Sequence, residues 1–257
     1  MALIETEAIV LKQFDLGEAD KIITFYTKDA GKVRAVAKKA RNSKNNKVSA
    51  VVLPYCYNDI KVYKSKSLDR INNVESIHRF ESLRNNLNKM AYAAYFAEMV
   101  EKAGMEYHPN PQLFNLLLQT FYKMIRSSDL ELEKINIVFK LLFLKYIGVQ
   151  PRINYCYECG KRYKTLKEQF FNVKEGGLIC KKCAQNKNEE LKSLRQNEVD
   201  LIKKIYRSEL DSLEEITIDK KILQRLDKLI NEFIIYHLDF SLKSSDFLQI
   251  IKGFDKN

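Results

Sequence analysis

The sequence predicts an α+β protein with more than one domain. Three observations predict it: residues 1–80 contain short β-like segments, apolar residues after residue 80 recur at helical spacing, and a polar segment with four cysteines interrupts the helical part. With 257 residues, 46% of them hydrophobic, the chain is long enough for a substantial core. A β-domain followed by an α-helical domain is therefore expected.

Residues 1–80 have the pattern of a small β-barrel. Gly17, Gly31 and a polar tract at 42–47 separate segments rich in β-branched and aromatic residues. We predict strands at 8–11, 22–26, 33–37, 51–62 and 70–77. Five short strands in this length are typical of the oligonucleotide-binding (OB) barrel, which predicts an OB-fold nucleic-acid-binding domain over 1–80. An SH3-like barrel and a small sandwich are the alternatives.

Apolar stripes at three- and four-residue spacing predict helices after residue 80. One stripe follows a turn signal at 108–111, where Pro111 suits a first helical turn. A second ends near Gly148, and a third covers 222–237. We predict a helical domain formed by 81–152 and 189–257, with an insertion over 153–188 that is too polar to belong to it.

The chain carries a large excess of positive charge. Its 44 Lys and Arg residues outnumber 33 Asp and Glu residues, for a formal net charge of +11. This excess favours an anionic partner, most commonly nucleic acid, although ribosomal and membrane-surface proteins are also basic. No stretch approaches the roughly 18 apolar residues of a membrane span, and residues 1–10 lack the pattern of a signal peptide. We therefore expect a soluble, cytoplasmic protein with no membrane partner.

Four of the five cysteines predict a metal site. Cys156 and Cys159 form one CxxC pair, Cys180 and Cys183 form another, and 20 residues separate the pairs. Two intervening residues let a tight turn direct both thiolates at one ion, and two such turns complete a tetrahedron. We predict one structural Zn²⁺ per chain, because four thiolates leave no position for a catalytic water. Iron in a rubredoxin-like site is an alternative, disulfides are disfavoured in the cytosol, and Cys56 is expected to be a small buried residue.

A second candidate site is the basic segment, defined as residues 32–47. It contains seven basic residues and no acidic one. We predict that all seven bind DNA: Lys32, Arg34, Lys38, Lys39, Arg41, Lys44 and Lys47. Aromatic residues that could stack on bases lie nearby in sequence, at Phe25, Tyr26, Tyr55, Tyr57 and Tyr63. The alternative is a solvated loop, with many of the tyrosines in the barrel core.

Signals of catalysis are missing from the sequence. It has no GxxxxGK[ST] or GxGxxG phosphate loop, and His78, His108 and His237 lie far apart. His237 continues a helical stripe, which favours a core or helix-end role. We therefore predict that the protein is not an enzyme and has no catalytic residues, with a nuclease as the contrasting hypothesis.

Taken together, several motifs resemble those of the bacterial recombination mediator family RecO. The resemblance spans nearly the whole chain and rests on the order and spacing of EAIVLK at 7–12, GEADKIITF at 17–25, GK at 31–32, AKKAR at 37–41, PNPQLF at 109–114, GVQP at 148–151, CYECG at 156–160, FNVKEGGLIC at 171–180 and LKSSDFL at 242–248. Many relatives have a glycine where Lys39 stands.

The resemblance implies an N-terminal OB barrel, a helical domain and a zinc-binding module in which the four cysteines are the ligands. It also implies a nucleoid-associated protein that binds single- and double-stranded DNA without sequence specificity and anneals complementary strands. The partners it implies are RecR, the C-terminal tail of single-strand binding protein and, indirectly, RecA, which such proteins help to load. A zinc-containing OB-fold RNA- or ribosome-associated protein is the alternative.

Overall fold

The computed structural model describes residues 2–41, 47–165, 168–213, 218–239 and 241–254. The chain divides into two compact units. The first unit comprises residues 1–132 and 242–257, and the second unit comprises residues 133–241. Among the described residues, none of the helices has both the length and the apolar character needed to cross a membrane.

A closed five-stranded barrel forms the N-terminal part of the first unit. Its strands are β1 (Leu3–Leu16), β2 (Asp20–Thr27), β3 (Gly31–Ala37), β4 (Tyr57–Tyr63) and β5 (Asp69–His78). They follow the order β1-β2-β3-β5-β4, and β1 also pairs with β4. All neighbouring pairs are antiparallel except β3 and β5. The predicted five-stranded barrel is confirmed, and its strand order is that of an OB fold.

Alternation along the strands fills the barrel. Ile23 and Phe25 of β2 and Val33 and Ala35 of β3 are fully buried in one core cluster, while the residues between them face outward. Cys56 belongs to the same cluster, as expected for a small buried residue.

The prediction of one strand over 51–62 is wrong in its first half. A short helix, α1 (Lys47–Val51), and a turn precede β4, which begins only at Tyr57. Val51 and Val52 still pack in the barrel core. Their apolar side chains therefore indicated that these residues are buried, but did not indicate a strand. Tyr55 has a φ of 74°, a left-handed conformation that ends any strand.

On the outside of the barrel, the Glu7 carboxylate connects β1 to β4 and to the turn after β2. Glu7 of β1 accepts hydrogen bonds from the Tyr57 hydroxyl and from the Lys28 ammonium, the latter at 3.0 Å. The Tyr57 hydrogen bond, helped by Lys28, holds the pKa of Glu7 below its ordinary value.

Four helices complete the first unit. They are α2 (Glu81–Arg84), α3 (Leu87–Ala103), α4 (Pro111–Arg126) and the C-terminal α9 (Lys243–Phe254). Helix α4 begins at Pro111 as predicted, and the Asn110 side chain caps it by accepting from the Leu113 amide. Helix α9 packs against α3, where the Glu98 carboxylate accepts from the backbone amides of Lys243 and Ser244 at 3.1 and 2.8 Å.

The second unit combines helices with a small sheet. Helix α5 (Asp129–Tyr146) leads into it, and the later elements are β6 (Gln169–Asn172), β7 (Gly177–Cys180), α6 (Lys181–Ala184), β8 (Leu191–Ser193), α7 (Gln196–Ser208) and α8 (Lys220–Leu238). The sheet has the order β7-β6-β8. The helical stripe predicted at 222–237 is confirmed by the buried face of α8. His237, near the end of that helix, contacts the Val173 carbonyl through Nε2 at 2.7 Å.

A buried cation links α5 to α8 in the second unit. The Lys140 side chain is 2% exposed, and its ammonium donates to Asp227 at 2.6 Å and to Asn231 at 2.7 Å. Burial lowers the pKa of Lys140, and the Asp227 carboxylate opposes that shift. Lys140 of α5 therefore joins the two helices through an ion pair with Asp227 and a hydrogen bond to Asn231.

Candidate metal centre and nucleic-acid interface

The four predicted ligands lie together in the second unit. The Sγ atoms of Cys156, Cys159, Cys180 and Cys183 are all within 4.8 Å of one another, close enough to hold one metal ion. Cys180 ends β7 and Cys183 lies in α6, so the strand-to-helix turn presents the second pair. Cys156 is fully buried and Cys159 is exposed.

The backbone around the first pair forms a tight turn. The Gly160 amide donates to the Cys156 carbonyl at 2.9 Å, and the Cys156 amide donates to the Lys161 carbonyl at 2.8 Å. Gly160 has a φ of 69°, the left-handed region that glycine adopts without a steric penalty. The Cys180 amide donates to the Cys156 Sγ at 3.4 Å, which connects the two turns.

The protonation of these thiols fits a cation site. Burial raises the pKa of Cys156, but nearby backbone amides of Cys159, Cys180 and Glu158 outweigh it and bring the value to about 7. The pKa of Cys183 is raised to about 12, chiefly by its hydrogen bond with Cys180. The Cys156 thiolate is therefore favoured, whereas hydrogen bonds to the neighbouring sulfurs keep Cys183 protonated. A divalent ion that prefers four sulfur ligands would take the place of the remaining thiol protons.

The module around the cysteines has little apolar material of its own. Its described core cluster comprises buried Cys156, Ile179 and Cys180, with only partly buried hydrophobic neighbours such as Phe170 and Leu191. Metal binding is the usual means of stabilising a segment with so small a core.

The side chains of the basic segment differ in how far they are exposed to solvent. Arg34 and Lys38 are exposed on or just after β3, and among the described residues neither has an ion pair. Lys32 is half-buried, and its ammonium donates to the Glu101 carbonyl at the end of α3 at 2.9 Å. Lys44 lies outside the described residues, as does the side chain of Lys47.

Two further residues of the segment shape the loop after β3. The Arg41 guanidinium pairs with Asp15 at 3.4 Å and also donates to the Gly17 carbonyl. Lys39 is exposed, has a φ of 56°, and its backbone amide donates to Asp20 at 2.8 Å. This left-handed backbone is one that glycine adopts readily, which agrees with the glycine that the family resemblance leads us to expect here. The loop is therefore held against the β1–β2 hairpin.

The suggestion that nearby aromatics stack on bases is corrected for four of the five. Phe25, Tyr26, Tyr55 and Tyr57 are at most 9% exposed, because they pack in the barrel or against helices of the first unit, whereas Tyr63 is 39% exposed. Within the barrel, the sequence reasoning missed Phe14, which is 51% exposed. It lies beyond the predicted strand 8–11, in the extension of β1.

Arg70 was not predicted as a site residue either. Arg70 of β5 is exposed and lies beside Val36 in the parallel β3–β5 pair. Local sequence patterns do not show which strands pair in parallel, so Arg70 could not be joined to the basic segment beforehand. Arg34, Lys38 and Arg70 thus form an exposed group of cations on β3, its following loop and β5.

Comparisons with known proteins cover nearly the whole chain. The family described as Recombination protein O N terminal matches residues 1–80, and Recombination protein O C terminal matches residues 84–246. The chain is 33% identical over 237 residues to the DNA repair protein RecO of Alkaliphilus metalliredigens, covering 92% of this chain and 94% of that protein. It is 32% identical over 248 residues to that of Desulforamulus reducens, covering 96% and 94%, and 28% identical over 246 residues to that of Bacillus subtilis, covering 96% and 94%.

Proposed function

This chain belongs to the RecO family of DNA repair and recombination proteins, and from that premise we propose that it binds single- and double-stranded DNA without sequence specificity and anneals complementary strands. The observation that carries the proposal is the exposed cation group Arg34, Lys38 and Arg70 on an OB barrel. The other residues of the basic segment are proposed to contribute, with Lys32 and Arg41 holding its shape.

The proposed mechanism is electrostatic. Two DNA strands repel each other through their phosphates, and lysines and arginines that neutralise both strands lower the barrier to their meeting. Contacts to phosphate carry no sequence information, so binding is independent of base sequence. Base pairing supplies the free energy of annealing, so the reaction requires no catalytic residue and we propose that the protein is not an enzyme.

We further propose that the protein works in the cytoplasm, at the nucleoid. There it cooperates with RecR and binds the C-terminal tail of single-strand binding protein, so that it helps to load RecA onto coated single-stranded DNA. Family membership supports these partners. The three-part division into 1–80, 81–152 with 189–257, and 153–188 is our proposal for its domains.

The metal that we propose is a single structural zinc ion, held by Cys156, Cys159, Cys180 and Cys183. Zinc with four sulfur ligands crosslinks the turns that carry them and leaves no open coordination position. The Cys180→Ser variant should bind less than one zinc per chain. Amide hydrogen exchange should become faster in β6 and β7, while exchange in the barrel strands stays as slow as in the wild type. Wild-type protein purified without chelator and found free of metal would contradict the proposal.

The test of DNA annealing compares two triple variants of equal charge. Arg34, Lys38 and Arg70 are changed to Glu in one, and the exposed Lys220, Lys221 and Lys228 of α8 are changed to Glu in the control. Annealing of complementary oligonucleotides, with and without single-strand binding protein, should fall strongly in the first variant and little in the control. Full annealing by the first variant would place the DNA site elsewhere.

A zinc-containing, RNA- or ribosome-associated OB protein is the second candidate, because the same cations neutralise either nucleic acid. Competition between single-stranded DNA and RNA of the same sequence separates the two: the recombination proposal expects no large preference for RNA. Labelled DNA incubated with the protein and magnesium should stay intact, and cleavage that copurifies with the protein would favour a nuclease.

A further inference from the structure

The pairing of the barrel strands places an apolar strip on the outer face of the sheet. Phe14 of β1 lies opposite Ile22 of β2, which lies opposite Val36 of β3. Val36 in turn lies beside Arg70 of β5. We define Phe14, Ile22 and Val36 as the outer strip. We propose that the outer strip is a base-stacking site for single-stranded DNA and that Phe14 is its stacking residue, an inference that rests on the proposed DNA binding.

The strip is open to solvent. Phe14 is 51% exposed, and Ile22 and Val36 are each half-buried. Their neighbours Ile23 and Ala35 fill the barrel core, so alternation directs the strip away from it. An aromatic ring exposed to this degree beside aliphatic side chains offers a flat surface to a base, and every base has a π-face that can use it.

The opposite half of the same face is closed, which limits where a strand can lie. Thr24 and Tyr26 point outward from β2 yet are only 1% exposed. Gly104, after α3, lies against the Tyr26 ring, and the Met105 carbonyl accepts from the Lys32 amide at 3.0 Å. The uncovered part of the face begins with the row that contains Phe14.

Charge complementarity selects a polyanion as the occupant. Arg34 lies two residues before Val36 on the same outward side of β3, and Arg70 lies beside Val36 on β5; both are exposed. The Lys12 ammonium is 5.1 Å from the centroid of the Phe14 ring. Apolar surface with cations at its margins suits a chain that alternates bases with phosphates.

Two carboxylates near the strip, Asp15 and Glu101, pair with cations other than Arg34 and Arg70, and Glu101 offsets the charge of Lys12. Asp15 is paired with Lys21 at 3.5 Å and with Arg41 at 3.4 Å, and Glu101 is paired with Lys12 at 3.1 Å. Among the residues that the structure describes, Arg34 and Arg70 have no ion pair, so the edge of the apolar strip remains attractive to phosphate.

The chain has no tryptophan, which makes a direct test possible. Phe14→Trp introduces a single tryptophan whose fluorescence reports a stacked base. Addition of oligo-dT should quench it, whereas Ile77→Trp should not respond, because Ile77 is similarly exposed at 49% but lies near the far end of β5. Binding of oligo-dT without quenching at position 14 would overturn the inference while leaving the proposed function intact.

Affinity measurements separate stacking from a general loss of binding. Phe14→Ala should weaken binding of oligo-dT about tenfold and Phe14→Tyr should restore it, because the loss of one stacked base is typically of this size. The salt dependence should stay unchanged, since no phosphate contact is lost, and binding to duplex DNA should change little, since its bases are already stacked.

Ile77→Ala is the matched control and should bind as wild type. Equal losses for single-stranded and duplex DNA, or unchanged affinity in Phe14→Ala, would refute the stacking role. If the wild type binds no DNA but the Phe14→Ala change abolishes capture of a protein partner, the strip is a protein interface and both proposals fail.

Discussion

Mutation of the exposed cation group and mutation of the tethered Lys32 should have different effects on the salt dependence of DNA binding. The group variant changes Arg34, Lys38 and Arg70 to Gln, and the comparison variant is Lys32→Gln. The ammonium of Lys32 already donates to the Glu101 carbonyl, whereas Arg34 and Lys38 have no ion pair among the described residues. Salt dependence measures phosphate contacts directly, because each contact releases condensed counterions.

The magnitude follows from the number of contacts. For single strands each phosphate contact contributes about 0.7 to the slope of log affinity against log salt, so the loss of three should reduce its magnitude by about 2. Between roughly 50 and 200 mM salt, the wild type should therefore lose about 20-fold more affinity than the group variant. Lys32→Gln should change the slope by less than about 0.3, because its side chain is committed within the protein.

The assay is fluorescence anisotropy of labelled oligo-dT at a series of salt concentrations. Circular dichroism of each variant serves as the check on folding. A slope in the group variant equal to that of the wild type would show that these cations do not contact phosphate. A reduction in Lys32→Gln as large as that of a single Arg34→Gln change would refute the distinction between tethered and exposed cations.

Three predictions concern stability and are checked by urea unfolding. Asp227→Ala should cost about 3–5 kcal/mol, because it leaves the buried Lys140 ammonium without its carboxylate; a loss below about 1 kcal/mol would contradict this. The pKa of Glu7 is lowered in the folded state, so its contribution to the free energy of unfolding is present above the ordinary value of 4.5 and is lost as pH falls through the folded pKa. Glu7→Gln should therefore make stability less sensitive to acid, and an unchanged dependence of stability on pH would refute this. Gly31→Ala should destabilise more than Gly17→Ala: both have positive φ, but a Cβ at Gly31 would lie 2.3 Å from a backbone carbonyl oxygen and one at Gly17 meets nothing within 4 Å.

Local chemistry in the sequence was sufficient for most of the barrel strands, for the helices α4 and α8, and for the cysteine cluster. The spacing of Cys156, Cys159, Cys180 and Cys183 predicts that their sulfurs converge, because each CxxC turn is a local structure. The alternation of residues in β3 likewise predicts which side of that strand is buried.

Long-range pairing is what the sequence could not provide. The partners of Lys32 and Arg41 lie 69 and 26 residues away, at Glu101 and Asp15, so a charge count could not separate tethered cations from exposed ones. Phe14 was missed for a related reason. Polar residues on one side of an extended strand concealed the continuation of β1 past residue 11, and only its pairing with β2 places the ring on the outer face.

The packing of α9 against α3 affects folding during synthesis, because the whole second unit lies between these two helices in the chain. The first unit is discontinuous in sequence: its last helix emerges from the ribosome after the whole of the second unit. Until then Glu98 lacks the amides of Lys243 and Ser244, and α3 lacks the buried Leu248 and Ile251 of α9. The barrel can close as soon as residues up to 78 are available, but the helical part of the same unit is completed only by α9, which follows the second unit in the chain. A nascent or C-terminally truncated chain therefore leaves uncovered the part of α3 against which α9 packs in the finished protein.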